Sequence, residues 1–159
     1  MLETYQARYP APFAVLGIRA TAERLTGIDY LPRGAAPLPP LNGMAERVWA
    51  QIERYLADPA YRFKLPFQYD GTAFQCRVWR EISAIPAGST LSYAEIARRL
   101  KTAPRPVGGA CGANRIPIVI PCHRVLAANG LGGFMHARQG FPIEIKRWLL
   151  RHEGVLGDG

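Results

Sequence analysis

The sequence is short of the residues that build disulfide frameworks and metal sites. Its three cysteines, Cys76, Cys111 and Cys122, are odd in number and form no CxxC pair. That excludes a disulfide framework and fits reduced thiols. Its three histidines, His123, His136 and His152, leave the first 122 residues with none. A structural zinc site would need widely scattered ligands, so none is expected. No run approaches the roughly 20 apolar residues that span a membrane. Glu3, Arg8, Pro10, Pro12 and Arg19 break up the N-terminal stretch, which denies it the continuous apolar core of a secretory signal. The expected location is the cytoplasm, or the nucleus of a cell that has one. Acidic residues are also missing from a whole stretch: Arg98 to Arg124 holds six basic residues and no acidic one.

What is present describes a globular chain. Its 159 residues suffice for one ordinary domain or two small ones. A hydrophobic content of 48% against 20% charged excludes wholesale disorder. The net charge of +8 is uneven: residues 1–70 carry eight Lys/Arg against seven Asp/Glu, and residues 71–159 carry twelve against five. A basic second half attracts polyanions, DNA or RNA first among them, although a solubilising basic face has the same composition.

The first segment reads as a small sheet with a helix on it. Phe13–Ile18 and Leu25–Leu31 are short apolar runs suited to an antiparallel sheet. The proline-rich stretch Pro32–Pro40 reads as a connector, and Ala45, Val48, Trp49, Ile52 and Leu56 then recur at helical spacing. Tyr61–Tyr69 reads as either a further strand or a linker. A boundary falls near Asp70-Gly71. Beyond it Thr72-Ala-Phe-Gln75 and Ser92-Tyr-Ala-Glu95 have the form of capping boxes, each opening a helix. The first helix places Phe74, Val78 and Ile82 on one face and the second buries Ile96, Ala97 and Leu100. Pro106 suits the first turn of a third helix, and Val107-Gly-Gly-Ala110 gives that helix a small-residue face that permits close backbone approach. Three short helices with a tight break suggest a helix-turn-helix or an ordinary helical packing motif; the acid-free basic stretch favours the former.

Chemistry concentrates after Asn114. In the run Ile116-Pro-Ile-Val-Ile-Pro-Cys-His-Arg-Val125 the apolar triplet 118–120 between prolines reads as a short buried extended segment, and Pro121 fixes the backbone before Cys122. A thiol in an apolar pocket is normally inert, because burial disfavours the thiolate. In an extended chain adjacent side chains point to opposite faces, so His123 reaches Cys122 only through a water or a turn. Taken alone, the pair reads more readily as a small buried hydrophobe beside a surface histidine.

The wider context resembles a known family. Pro121-Cys-His-Arg-Val125, preceded by Asn114 and the Ile116–Ile120 run, is similar to the active-site motif of the O6-alkylguanine-DNA alkyltransferases. The likeness covers Phe74 to Glu153 and includes Leu91–Ala97, Arg105–Ala110 and Lys146–Gly154 in the same order. Residues 1–70 match only in general layout. The resemblance implies an α/β (α+β) fold: a small N-terminal RNase H-like sheet-and-helix scaffold domain over 1–70, then a helical winged-helix-like domain with a helix-turn-helix over 71–159. It implies single-turnover transfer of an alkyl group, methyl first, from O6-alkylguanine in DNA, with O4-alkylthymine as a further substrate, to Cys122. The damaged nucleotide would be flipped out through the minor groove.

In the roles that this likeness implies, Cys122 is the nucleophile, His123 the water-mediated base and Glu153 the group that orients it. Asn114 braces the turn, and Tyr93 assists rotation of the nucleotide and protonates N3 of the leaving guanine. Arg105 fills the vacated base stack, while Thr102, Pro106, Gly108 and Tyr93 lie along the DNA. Arg124 is expected as a structural salt-bridge partner, Cys76 and Cys111 as packing residues. The partner is double-stranded DNA carrying alkylated guanine; no cofactor, metal, membrane or obligate protein partner is implied, and the chain is expected to act as a monomer. Two departures stand out. The family's Tyr-Ser-Gly-Gly loop is replaced by the longer Gly132–Gly140, so Gly133, Phe134 and Met135 join Val125 as expected pocket residues, with Met135 at the serine position. Pro104 and Pro106 flank Arg105 where small residues are usual. A lesion-binding module without transfer, and a helix-turn-helix regulator with a sensing thiol, are the competing readings. A papain-like hydrolase fits poorly, because its base normally lies far from its nucleophile in sequence.

Overall fold

The computed structural model describes residues 4–127, 130–131 and 141–156. The chain divides into two compact units, Met1–Gln68 and Tyr69–Gly159, in a mixed α/β arrangement.

In the first unit, β1 (Ala7–Pro10), β2 (Val15–Ala20) and β3 (Leu25–Leu31) form an antiparallel meander in that order. The second and third strands carry the two apolar runs seen in the sequence; β1, more polar, gave no such signal. Gly17 in β2 leaves room for the Tyr5 ring, since a Cβ there would lie 2.6 Å from a ring carbon. The phenol in turn donates to Asp29 Oδ2 at 2.8 Å. The proline-rich connector is not idle: Arg8 and Leu38 exchange backbone hydrogen bonds of 2.9 and 3.0 Å, extending the edge at β1.

Helix α1 (Gly43–Ala57) is capped by Asn42, whose side chain accepts from Ala45 N and donates to Ala20 O. Its buried residues are Met44, Ala45, Val48, Ile52 and Tyr55. Trp49 and Leu56, expected on that stripe, are only half-buried, with Trp49 edge-on to Tyr9 at 4.7 Å. Tyr61–Gln68 is a linker and not a strand: it is pinned by the pairing of Gln51 with the Lys64 backbone and by Leu25 N donating to Pro66 O.

In the second unit both capping boxes form. Thr72 opens α2 (Ala73–Ser83) and Ser92 opens α3 (Tyr93–Leu100), each with reciprocal bonds to the residue three positions on. Helix α2 buries Val78, Trp79 and Ile82, and α3 buries Ile96, Ala97 and Leu100. Full burial of an aliphatic side chain contributes about 1.5–3 kcal/mol. Lys101 ends α3 in a left-handed conformation at φ 57°, and the chain restarts at once as α4 (Pro104–Gly112). Pro106 lies in its first turn as expected, and Pro104 takes the first helical position, where a missing N–H is harmless. Trp79 Nε1 donates to Ala110 O at 2.8 Å and fastens α4 to α2. The unit is completed by β4 (Leu91–Ser92), β5 (Val125–Leu126) and α5 (Phe141–His152).

Beta4 and β5 pair in parallel, Leu91 with Val125 and Ser92 with Leu126. This two-residue ladder aligns the start of α3 with the segment just after Cys122–Arg124. Replacing Ser92 with Ala removes the α3 cap at that junction and is expected to lower stability by about 1 kcal/mol. Urea unfolding of the full chain measures it, and an unchanged midpoint would show that the cap is dispensable.

Candidate active site

Residues 118–120 are not the extended segment expected from their apolar, proline-bounded composition. They form a compact turn in which Ile118 takes φ 75°, and Ile120 N donates back to Ile116 O at 2.9 Å. A β-branched residue disfavours positive φ, so the turn persists only because its surroundings over-determine it. Asn114 supplies much of that constraint. Its Oδ1 accepts from Ile116 N at 2.9 Å, and its Nδ2 donates to Ile120 O at 2.9 Å and to Cys122 Sγ at 3.2 Å. Pro121, at φ −82° and ψ 65°, then closes a tight turn in which Cys122 N donates to Ile120 O at 2.8 Å. Cys122–Arg124 follows as a single 3-10 turn.

The Cys122 side chain is 3% exposed and His123 is fully buried. Interaction with the Cys111 thiol, together with burial, holds the Cys122 thiol well above its ordinary range; Asn114 and the charge of Lys146 pull the other way. Cys111 lies in the last turn of α4, where its carbonyl accepts from Asn114 N at 3.2 Å. His123 points away from the thiol at one nitrogen: Nε2 lies 2.8 Å from Glu153 Oε2. An ionised carboxylate only accepts, so Nε2 carries the proton and Nδ1 presents a lone pair. That Nδ1 is buried with no hydrogen-bond partner among the described residues. Burial keeps the imidazole below its ordinary basicity, against the opposing pull of Glu153.

Glu153 lies just beyond α5, its carboxyl turned inward. Gly154 at φ 81° lets the chain reverse there, and Val155 N caps Leu150 O at 2.9 Å. Arg124 grips the carboxylate in a fork, Nε to Oε1 at 2.8 Å and the terminal nitrogen to Oε2 at 3.0 Å, while its other terminal nitrogen donates to Ile85 O at 2.6 Å. Desolvation alone would raise the Glu153 pKa. The hydrogen bonds from His123 and Arg124, with the Arg124 charge, outweigh it and hold the carboxyl well below the carboxylate range.

Lys146 is the functional candidate that motif reading passed over. It is fully buried on α5 and donates to Val125 O at 2.7 Å and Leu131 O at 2.6 Å. Its Nζ lies 5.9 Å from the centre of the Tyr93 ring. Burial lowers its pKa to about 8, partly offset by the neighbouring Cys111 and Cys122. The available signal was positional: Lys146 falls three residues after Ile143 and three before Leu149, on the face that α5 buries.

The structure thus gathers Cys122, Asn114, His123, Glu153 and Arg124 into one bonded cluster, with Lys146 and Val125 beside it. Tyr93 begins α3 at the β4–β5 ladder. Arg105 and Pro106 are exposed on the first turn of α4, Thr102 lies in the turn before it, and Gly108 opens onto empty space. Gly133, Phe134 and Met135 lie outside the described residues. Among the described residues no group of three or more His, Cys, Asp or Glu side chains is placed to hold a metal ion, and no helix is long and apolar enough to cross a membrane.

A short helix-turn-helix with a cysteine–histidine–carboxylate cluster behind it defines a nucleic-acid-binding domain of a particular kind. Residues 73–155 match the family described as 6-O-methylguanine DNA methyltransferase, DNA binding domain. The methylated-DNA–protein-cysteine methyltransferase of Salmonella typhimurium is 47% identical over 143 residues, 87% of this chain and 79% of the relative. The protein of that name from Haemophilus influenzae is 36% identical, covering 98% of this chain and 89% of the relative. The O6-methylguanine methyltransferase of Mycobacterium tuberculosis superposes with a TM-score of 0.77 at 32% identity, over 94% of this chain and 93% of that one. The same organism's OGT in complex with DNA superposes at 0.74 with 34% identity, covering 90% and 88%. The chain belongs to the methylated-DNA–protein-cysteine methyltransferases, a family of alkyl-transferring DNA-repair enzymes.

The buried cluster makes stability acid-sensitive. His123 stays neutral in the fold, so below the ordinary imidazole value of 6.5 the unfolded chain takes up a proton that the native one refuses. Glu153 is held below the ordinary carboxyl value of 4.5, so its contribution is full above that pH and is lost as pH falls through its native value. Both act in one direction, and the thermal midpoint is expected to fall steadily from about pH 7 to about pH 4; a flat profile would contradict the cluster. Arg124→Met leaves the Glu153 carboxylate buried with one partner fewer and is expected to cost about 3 kcal/mol in denaturant unfolding.

Proposed function

We propose that this chain removes the alkyl group from O6 of alkylated guanine in double-stranded DNA by transferring it to its own Cys122. The carrying observation is the geometry at His123: a protonated Nε2 fixed on Glu153 and a buried, unpartnered Nδ1 lone pair one residue from the thiol. One water between Nδ1 and Sγ completes a proton path from a cysteine that burial keeps protonated. The sulfur then attacks the alkyl carbon, the S–C bond forms as the C–O6 bond breaks, and the electron pair passes to the purine. Tyr93 supplies a proton toward N3, and the nearby Lys146 ammonium steadies the charge that develops. A thioether has no facile hydrolysis, so each molecule acts once. The presence of DNA in the structure of the M. tuberculosis relative supports the choice of partner.

The finer expectations belong to the same proposal. The second unit serves as a winged-helix-like domain that enters the minor groove, with Arg105 filling the gap left by the flipped nucleotide. Thr102, Pro106 and the open Gly108 lie along the backbone. The first unit is an RNase H-like scaffold, the protein works as a cytoplasmic or nuclear monomer, and O4-alkylthymine is a secondary substrate. Val125, with Phe134, Met135 and Gly133, shapes the pocket.

Incubation of the full chain with duplex DNA containing O6-methylguanine is expected to add one CH2 unit per molecule, located on Cys122 by tandem mass spectrometry. Cys122→Ala is expected to acquire none, and His123→Ala to slow transfer by about 10²–10⁴-fold. Tight binding to the lesion without an adduct would instead establish a recognition module. Retention by one duplex sequence and not by others would indicate a regulator.

A further inference from the structure

Alkyl transfer leaves one charged side chain of the active-site turn without a task. Of the six basic residues from Arg98 to Arg124, Arg99 pairs with Glu81 and Arg124 with Glu153, and Arg105 is assigned to the base stack. Arg115 alone stands within the turn that leads to Cys122. It is exposed, and among the described residues it makes no hydrogen bond or ion pair. Its backbone, by contrast, is held on both sides. Ala113 N donates to Gly109 O at 3.1 Å, Asn114 N to Cys111 O at 3.2 Å, and Ile116 N to Asn114 Oδ1 at 2.9 Å. Ile116, the next residue, is buried. The turn fixes the root of the Arg115 side chain and leaves its charge in solvent.

That root is close to the chemistry. Asn114 Nδ2 donates to Cys122 Sγ at 3.2 Å, and covalent geometry then puts the Arg115 Cα within about 11 Å of the sulfur. A guanine whose alkyl carbon meets Sγ carries its sugar and its flanking phosphates outward over a comparable span. We infer that Arg115 binds a phosphate flanking the flipped nucleotide in the lesion strand and so sets how the alkylated base is seated against Cys122. A guanidinium suits this task, because its planar fork of N–H donors takes a phosphate at two points. No carboxylate within Arg98–Arg124 competes for it. Such a contact fixes position without reading sequence. The substrate named here rests on the function proposed above.

The test measures binding of the full chain in a Cys122→Ser background, so that no transfer consumes the lesion, to duplex DNA containing O6-methylguanine. Arg115→Gln is expected to weaken binding about tenfold and to reduce the slope of log affinity against log salt by about 0.9, the loss of one phosphate contact. Arg115→Lys should recover the slope but only part of the affinity, since it keeps the charge and loses the fork. A single neutral methylphosphonate is then placed in turn at each phosphate beside the lesion. At one position it is expected to cost the Arg115 protein as much as Arg115→Gln does, and to cost the Arg115→Gln protein nothing further. An unchanged salt slope, or penalties that add at every position, would overturn the contact and leave Arg115 a solubilising charge. So would a lowered urea midpoint for Arg115→Gln, which would make the side chain structural. Adduct formation by the parent chain is scored separately. A parent that binds the lesion and forms no adduct defeats alkyl transfer while the phosphate contact stands; a parent that forms the adduct while Arg115→Gln keeps the full slope defeats the contact alone.

Discussion

Much of the second unit is arranged around a carboxylate that should be costly to bury. Glu153 sits inside the unit, where a lone ionised group would be expelled or neutralised. It stays ionised because Arg124 grips both oxygens and His123 donates to one of them. Through those bonds a single side chain joins the end of α5 to the Cys122–Arg124 turn and, by way of the Arg124–Ile85 contact, to the segment after α2. The same bonds decide the chemistry. With Glu153 ionised, the His123 tautomer is fixed; with it protonated, Nδ1 would no longer be the obligatory acceptor. Structural closure and proton placement are one constraint here, and neither can be altered alone.

The nucleophile itself is held back. Burial and the Cys111 contact both oppose ionisation of Cys122, while Asn114 and Lys146 favour it. A permanently ionised thiolate would react with any electrophile that reached it. A thiol that must surrender its proton through a neighbouring base reacts when that path is complete and a carbon is in line. The strained Ile118 belongs to the same design: a left-handed isoleucine is tolerated because the hydrogen bonds of Asn114 and the Pro121 turn leave the backbone no alternative.

How much of this could be read in the sequence depended on how local each cause was. The capping boxes at Thr72 and Ser92 are settled within four residues, and both formed as expected. The apolar stripe of α1 was visible, but its edges were not, because Tyr55 is buried and Trp49 half-exposed through packing that periodicity alone does not set. The run from Ile116 to Ile120 misled. Its β-branched, proline-bounded composition favours an extended chain, and the bonds that fold it into a turn come from Asn114 side-chain atoms. Strand β1 was missed because its four residues carry no alternation and gain their place only by pairing with β2. The roles of Cys122, His123 and Glu153 came from a resemblance; their bonded geometry came from the fold. Lys146 reaches the site from α5, distant in sequence, and although it opens a matching stretch nothing there assigned it a role.

Helix α4 shows how one short element serves two surfaces. Its first turn carries Arg105, exposed, between two prolines that fix the backbone. Its buried side offers Val107 and Ala110 to the interior and is fastened by Trp79. Between them, Gly108 and Gly109 leave open space where a Cβ would meet nothing. The vacancy therefore is not explained by crowding within the chain; it suits a bulky surface that approaches from outside, as a nucleic-acid backbone does. The last turn of the same nine-residue helix is tied to the site through Asn114, whose N donates to Cys111 O and whose Nδ2 donates to Cys122 Sγ. Whatever seats itself against the glycines thus bears on an element linked through Asn114 to the reactive sulfur. Glycines weaken an isolated helix by roughly 1 kcal/mol each, so α4 depends on its buried side for its form. That dependence keeps the outer face and the thiol in a fixed relation.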